Sequence, residues 1–256
     1  RGDKDMISQA NPRFFTNIDK DVLLYYKEDE ENPDLTKLDN WFSDNIEDIN
    51  FISSLEESKS KSKRLFDNTV YASSMINLFS PCVNFSNKEI NNIISKININ
   101  FIKDKYAFTR TFAKLENVTI LDLTPWNMEK GSPIEFLNGL LYGDKNLKSI
   151  YGISTLVNKK VTSINSMFAE CESLEEIDIS NWDTSSVEDF TRLFDGCKSL
   201  KKIKGIIDMK SCIKYSGMFG INTSVGCKEL RNLKIKNPPN GFFLSGLEKS
   251  QYEIIE

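Results

Sequence analysis

The sequence predicts an α/β fold: a right-handed solenoid with a parallel sheet on one face and short helices on the other. Three observations lead to this prediction. The chain repeats itself, with Phe168, Phe194 and Phe219 spaced 26 and 25 residues apart. Each repeat holds a short stretch of alternating apolar residues, then a polar turn, then a helical pattern. A unit of this size cannot bury its own apolar face, so neighbouring units have to stack.

The repeat is clearest after two of these anchors. Phe168 and Phe194 are each followed by Cys at +3, Leu at +6 and Ile at +9. The third copy keeps the same order from Phe219 but reaches its cysteine five residues later, at Cys227. Weaker copies share mainly the apolar anchor, at Phe79, Phe112 and Leu141. We therefore predict repeats over residues 38–236, clear from residue 105 onward.

Each predicted element follows from the repeat. Alternating apolar residues predict parallel strands near residues 119–123, 148–151, 175–179, 201–204 and 232–235. The segment NWDTSS after the third strand is a polar turn. In VEDFTRLF, residues 187–194, apolar residues recur at i, i+3, i+6 and i+7, which predicts a short helix. Crossovers between parallel strands are right-handed in nearly all proteins.

The flanking segments are predicted to close the ends of the stack. Residues 1–37 match no repeat and are assigned to an N-terminal cap, and residues 237–256 to a C-terminal cap. A stacked solenoid needs its exposed ends covered, whatever its function.

Composition excludes several function classes. The net charge is -4, from 33 basic and 37 acidic residues, so nucleic acid and anionic lipid are poor partners. The longest apolar runs are far shorter than the roughly 20 residues that span a bilayer, so no membrane insertion is expected. The chain contains no histidine, which excludes Ser-His-Asp and Cys-His nucleophiles and imidazole metal sites. We therefore expect a protein that is not an enzyme.

The cysteines and the clustered carboxylates are interpreted as structural. Four of the five cysteines occupy the equivalent slot of the repeat: Cys82, Cys171, Cys197 and Cys227. A thiol suits a tight, apolar inward corner. The alternative is a ladder of stacked thiols, in which Cys171 and Cys197 lie about 4.8 Å apart and could form a disulfide in an oxidising compartment. The carboxylates Glu175, Glu176 and Asp178 are assigned to a solvated strand face rather than to a general acid and base.

The outward side chains of the predicted sheet are the candidate binding site. They lie beside the inward Leu and Ile residues, and along the stack they pass from acidic to basic. The candidate partner-binding residues are Asp122, Tyr151, Glu176, Asp178, Lys202, Lys204, Lys234 and Lys236. The four lysines take equivalent slots, which predicts one basic patch for an acidic partner. Under the alternative interpretation, these charges only keep the surface solvated.

Residues 167–190, from Met167 and Phe168 to SNWDTSSVEDF, resemble the BspA-like leucine-rich repeats of bacterial surface proteins and mycoplasma lipoproteins. The unit of that family runs roughly MF-x-x-C-x-S-L-x-x-L-D-L-S-N-W-D-T-S-x-V-x-D-M. The other repeats match it at the apolar anchors only.

The resemblance implies a leucine-rich-repeat solenoid that is secreted or displayed on the cell surface. Such a protein would engage a protein or glycan partner through its strand face, as in adhesion, without a cofactor or metal. The alternative is an intracellular effector or immunity-type inhibitor that binds one dedicated protein partner. The sequence does not indicate an oligomeric state.

Overall fold

The computed structural model of the chain describes residues 70–71, 75–80, 85–100, 102, 104–126, 132–222 and 226–256. Within these ranges the fold is mixed α/β, with small parallel sheets and one α-helix. The elements in chain order are β1 (Val70–Tyr71), α1 (Asn87–Lys96), β2 (Ile97–Asn98), β3 (Ile120–Asp122), β4 (Ser149–Tyr151), β5 (Glu176–Asp178), β6 (Lys202–Lys204), β7 (Ile206–Asp208), β8 (Leu233–Lys236) and β9 (Tyr252–Ile255). Two short 3₁₀ helices lie at Ile153–Thr155 and Lys249–Gln251. The predicted N-terminal cap, residues 1–37, lies outside the described residues.

Every strand pair in the described part of the chain is parallel. β1 pairs with β2, β3 with β4 and β5 with β6, and β7, β8 and β9 form a three-stranded sheet. The side chains alternate as the sequence pattern requires, so that in β5 Ile177 is buried between the exposed Glu176 and Asp178. The parallel strands predicted for the five clear repeats are confirmed.

The helix predicted over VEDFTRLF, residues 187–194, is wrong, because residues 187–190 are extended around a parallel bridge at Asp189 and residues 191–194 form consecutive turns. The N–H groups of Phe190, Arg192 and Phe194 donate to carbonyl oxygens of residues 214, 216 and 218, in the next repeat, at 2.7, 3.0 and 2.7 Å. The residues between them bond locally, as Leu193 N–H does to the Phe190 carbonyl at 3.2 Å. Arg192 also has a φ of 54°, which lies outside the α-helical region. We call such a stretch a turn row.

The anchor side chains of successive turn rows stack inside the fold. The rings of Phe168 and Phe194 have centroids 5.2 Å apart, and Phe219 follows at 5.4 Å. Phe79 stacks in the same way on Phe112, at 5.4 Å. All five rings are buried, as expected for inward anchors. Leu141 is the anchor between Phe112 and Phe168 in the sequence. Its side chain is aliphatic, so it interrupts the column of rings.

Helix α1 covers one edge of strand β3 with two asparagine side chains. Asn87 Oδ1 accepts the N–H groups of Thr119 at 2.8 Å and Ile120 at 3.1 Å. Asn91 Oδ1 accepts the Asp122 N–H at 2.8 Å, and its Nδ2 donates to the Ile120 carbonyl at 3.1 Å. These amides satisfy backbone groups that a neighbouring strand would otherwise pair. No helix in the described residues is both long and apolar enough to cross a membrane.

Residues 237–256, the predicted C-terminal cap, add β9 to the edge of β8. The side chain of Gln251 is buried, and its Nε2 donates to the carbonyls of Cys227 at 3.0 Å and Leu230 at 2.7 Å. The amide therefore satisfies buried carbonyl groups of the preceding repeat, which would otherwise cost free energy.

Candidate binding face

The candidate site consists of the outward side chains of β3 to β8, which we call the strand face. The strand register sets six of the eight predicted binding residues directly opposite one another: Asp122 and Tyr151, Glu176 and Lys202, Asp178 and Lys204. Residues opposite each other on one face of a sheet have side chains close enough to interact. The face therefore carries opposite charges side by side between β5 and β6.

An ion pair joins β5 to β6 on this face. Lys204 Nζ lies 2.7 Å from Asp178 Oδ2. Hydrogen bonds from Lys204 and then from Ser180 lower the pKa of Asp178 to about 2, and the same contact raises the pKa of Lys204. Just before the strands, Lys201 Nζ lies 2.8 Å from Glu175 Oε2. These exposed pairs contribute little to stability but neutralise the local charge.

The four lysines are not equivalent in the sheet, which corrects the predicted basic patch. β8 pairs with β7, so that Lys234 lies opposite Ile206 and Lys236 opposite Asp208. The other two lysines lie on β6, which pairs with β5. Gly205, with a φ of 118°, separates β6 from β7. Residues 202–208 therefore pair with β5 through their first half, β6, and with β8 through their second half, β7.

Acceptor groups also flank the two lysines of β8. Lys234 Nζ lies 3.8 Å from Glu253 Oε1 on β9. Lys236 Nζ donates to the backbone carbonyl of Glu256 at 2.9 Å. The β5 to β9 part of the face therefore alternates positive and negative groups and is not a patch of one sign.

Apolar side chains are exposed on the β3–β4 part of the strand face, and one more is exposed on β7. Tyr151 is 55% exposed and Ile120 is 39% exposed, and both point outward from the β3–β4 sheet. Ile206, opposite Lys234, is 42% exposed. Large exposed apolar groups beside polar ones are typical of protein interfaces. Tyr151 was predicted from the sequence as a binding residue, whereas Ile120 and Ile206 were not, although the repeat places both in outward slots.

Three cysteines form a line of buried thiols, which we call the thiol row. Each thiol donates to the carbonyl of an anchor one repeat earlier: Cys171 to Leu141 at 3.1 Å, Cys197 to Phe168 at 3.0 Å and Cys227 to Phe194 at 3.4 Å. All three are free, so the disulfide considered between Cys171 and Cys197 is not formed. Burial raises the pKa of each thiol, which makes it unreactive. Cys82 lies outside the described residues.

Asp144 occupies the place that a cysteine takes in the thiol row. It follows Leu141 by three residues, as Cys171 follows Phe168. The side chain is buried, and Oδ1 accepts the Leu115 N–H at 2.8 Å, whereas Oδ2 has no hydrogen-bond partner among the described residues. Burial raises the pKa of Asp144 well above its usual range, although backbone hydrogen bonds oppose the shift. This buried carboxyl group was not predicted from the sequence.

The acidic cluster at β5, Glu175, Glu176 and Asp178, is held largely by ion pairs. Two of its members, Glu175 and Asp178, are each bound to a lysine of the next repeat. Within the described ranges, no group of three or more His, Cys, Asp or Glu side chains is arranged to hold a metal ion.

A family model described as "Mycoplasma protein of unknown function, DUF285" matches residues 106–231. The matched range is similar to residues 105–236, over which the repeat is clear in the sequence. No curated protein matches the chain. No solved structure matches it either.

Proposed function

We propose that the chain is a non-enzymatic binding module, built as a right-handed leucine-rich-repeat solenoid. Three features support this architecture. From Phe112 to Phe219 the anchors recur every 25 to 29 residues. Strands of successive repeats pair in parallel. Successive turn rows are also joined by parallel bridges, which link residues 136, 163, 189 and 214. Solenoids of this type present a long surface to partners rather than an enclosed pocket.

The observation that carries the proposed function is the exposure of Tyr151 and Ile120 on the strand face, next to charged residues in register. Aromatic side chains contribute most to binding where they are surrounded by polar groups that exclude water. We therefore place the centre of the contact at Tyr151. The lysine and carboxylate pairs of β5 to β8 would orient the partner.

A protein partner fits this face better than a glycan. The part of the strand face on β5 to β8 presents positive and negative charges on neighbouring strands, for example Glu176 opposite Lys202. A protein surface with alternating charges can complement both the positive and the negative side chains, whereas a neutral glycan would contact only the part of the face around Tyr151. We keep a glycan as the second candidate because Tyr151 is accessible to either.

The compartment separates the two versions of this function. A secreted or surface-displayed protein would act in adhesion, whereas an intracellular effector or immunity-type inhibitor would bind one dedicated protein. The residues encoded upstream of Arg1 distinguish them, since a signal peptide or lipobox supports the first and a direct methionine start supports the second.

The binding function is tested with arrays of glycans and extracellular proteins, followed by kinetics for each ligand found. We expect Tyr151→Ser to weaken binding at least about fivefold, mainly through faster dissociation. The double variant Lys202→Glu and Lys234→Glu should slow association and reduce its salt dependence. Lys159→Glu changes an exposed lysine outside the strands and is the matched control. A ligand bound equally well by all variants would place the site elsewhere.

A further inference from the structure

Turn rows are joined by a regular ladder of backbone hydrogen bonds. In five successive rows, alternate N–H groups donate to carbonyl groups two residues apart in the row that follows. The donors are residues 75, 77 and 79; 110, 112 and 114; 137, 139, 141 and 143; 164, 166, 168 and 170; and 190, 192 and 194. Each row thus donates three or four backbone hydrogen bonds to the row that follows.

The sixth row, residues 214–219, has donors that this ladder leaves unused. Its carbonyl groups accept from the fifth row. A trans peptide holds C=O and N–H on opposite sides, so the N–H groups of Tyr215, Gly217 and Phe219 point away from the fifth row. None of the three donates a hydrogen bond within the described part of the chain. Gly217 and Phe219 are buried, where an unpaired N–H is costly.

These three residues line a groove of about 580 Å³. One wall includes Ile213, which is 69% exposed, and the other includes Phe243, which is 67% exposed. Ser245 Oγ donates to the Gly220 carbonyl at 3.0 Å, which anchors the second wall just past the end of the row. The C-terminal segment therefore flanks the sixth row without pairing with its donors.

We propose that this groove binds an acidic peptide segment of a partner protein, which adds itself as a seventh turn row. Its alternate carbonyl oxygens accept from Tyr215, Gly217 and Phe219, and its apolar side chains contact the two walls. Among the described residues that line the groove, Lys214 alone carries a charge, so an acidic side chain is favoured there. The groove is separate from the strand face, so this inference does not depend on the function proposed above.

The ladder itself indicates that the occupant is a polypeptide. Three donors on alternate residues match the acceptors of a backbone, as in strand addition to a sheet edge. The chain contains a model for such a segment in residues 187–196, VEDFTRLFDG, whose carbonyl groups accept from the fourth row. That segment carries three acidic residues and one basic residue, a net charge of -2 (3 acidic minus 1 basic).

The proposal is tested with a fluorescein-labelled peptide of sequence VEDFTRLFDG, blocked at both ends. Anisotropy gives the dissociation constant, and amide hydrogen exchange locates the contact. The mirror-image peptide keeps composition and charge but cannot form the same ladder. Phe243→Ser and Lys214→Glu alter the groove, and Ile254→Ser and Lys210→Glu are matched controls at exposed positions outside it.

We expect both groove variants to bind the peptide at least about fivefold more weakly, and both controls to bind it unchanged. Exchange of the Tyr215, Gly217 and Phe219 amides should slow when the peptide is added. The proposal is overturned if no saturable binding occurs up to about 1 mM, if both mirror forms bind equally, or if protection appears elsewhere. Protection of these amides that rises with protein concentration alone would also overturn it, because the occupant would then be a second copy of the chain.

Discussion

Replacing Asp144 by asparagine should stabilise the fold at neutral pH and remove part of its pH dependence. Asparagine has nearly the same shape, and its side-chain oxygen can still accept the Leu115 N–H, which Asp144 Oδ1 accepts at 2.8 Å. The amide carries no charge, so its burial does not incur the cost of desolvating a carboxylate. The variant isolates the effect of ionisation from that of packing.

The sign and size of the effect follow from proton linkage. Burial raises the pKa of Asp144 in the folded state, whereas in the unfolded chain the carboxyl ionises near its ordinary value of 3.8. Its contribution to stability is therefore fully present below the unfolded pKa and is lost as pH rises toward the folded pKa. Within that window the loss is about 1.4 kcal/mol per pH unit. Asp144→Asn lacks this loss.

Urea unfolding of both proteins between about pH 4 and pH 7 measures the difference in the free energy of unfolding. We expect the difference to grow with pH in favour of Asp144→Asn. Asp183→Asn is the matched control, because this exposed carboxylate also accepts a backbone N–H, that of Ser185 at 3.2 Å. If the curves of native protein and Asp144→Asn run parallel, Asp144 ionises normally in the fold and the reasoning is refuted.

Three further predictions concern packing, backbone and thiols. Phe168→Ala should cost about 3–5 kcal/mol in urea unfolding and Glu176→Ala no more than about 0.5 kcal/mol; equal losses would contradict the inward and outward assignments. Gly152→Ala should lower the melting temperature far more than Gly241→Ala. Both glycines have positive φ, but of the two only Gly152 lies so close to the backbone of Leu123 and Thr124 that a Cβ would clash with it. Equal shifts would show that φ alone decides. Iodoacetamide should label Cys212 before the cysteines of the thiol row, because Cys212 is only partly buried. Burial raises the pKa of Cys212 to about 11. If mass spectrometry of the native protein shows the reverse order of labelling, the thiol row is not buried.

The strands could be predicted from sequence, but the turn rows could not. Alternation of one buried residue with outward neighbours, as around Ile177, is nearly specific to a strand. Buried residues three apart occur both in helices and in consecutive turns. The difference lies in the positive φ of Arg192 and in the bond from Phe190 N–H to the next repeat. Both depend on the neighbouring row, which a local pattern does not contain.

The candidate site was predicted in part for a similar reason. The β6 and β8 lysines were placed in equivalent slots because both pairs alternate with inward apolar residues. After Gly205 a second strand, β7, begins, and β8 pairs with β7 rather than with β6. Asp144 was not predicted because the position three residues after each anchor was identified by its cysteine, and after Leu141 this position holds an aspartate. The donors of the sixth turn row are backbone groups, so no side-chain motif could indicate them.

The break in the column of rings affects how the molecule opens. On one side lies the stack of Phe79 and Phe112, and on the other the stack that begins at Phe168. Between them stand the Leu141 anchor and the buried carboxyl group of Asp144. In an array where each unit contacts only its neighbours, the least cohesive junction separates first. Mechanical tension or mild denaturant should therefore part the chain into two blocks at this junction, each keeping its own aromatic stack.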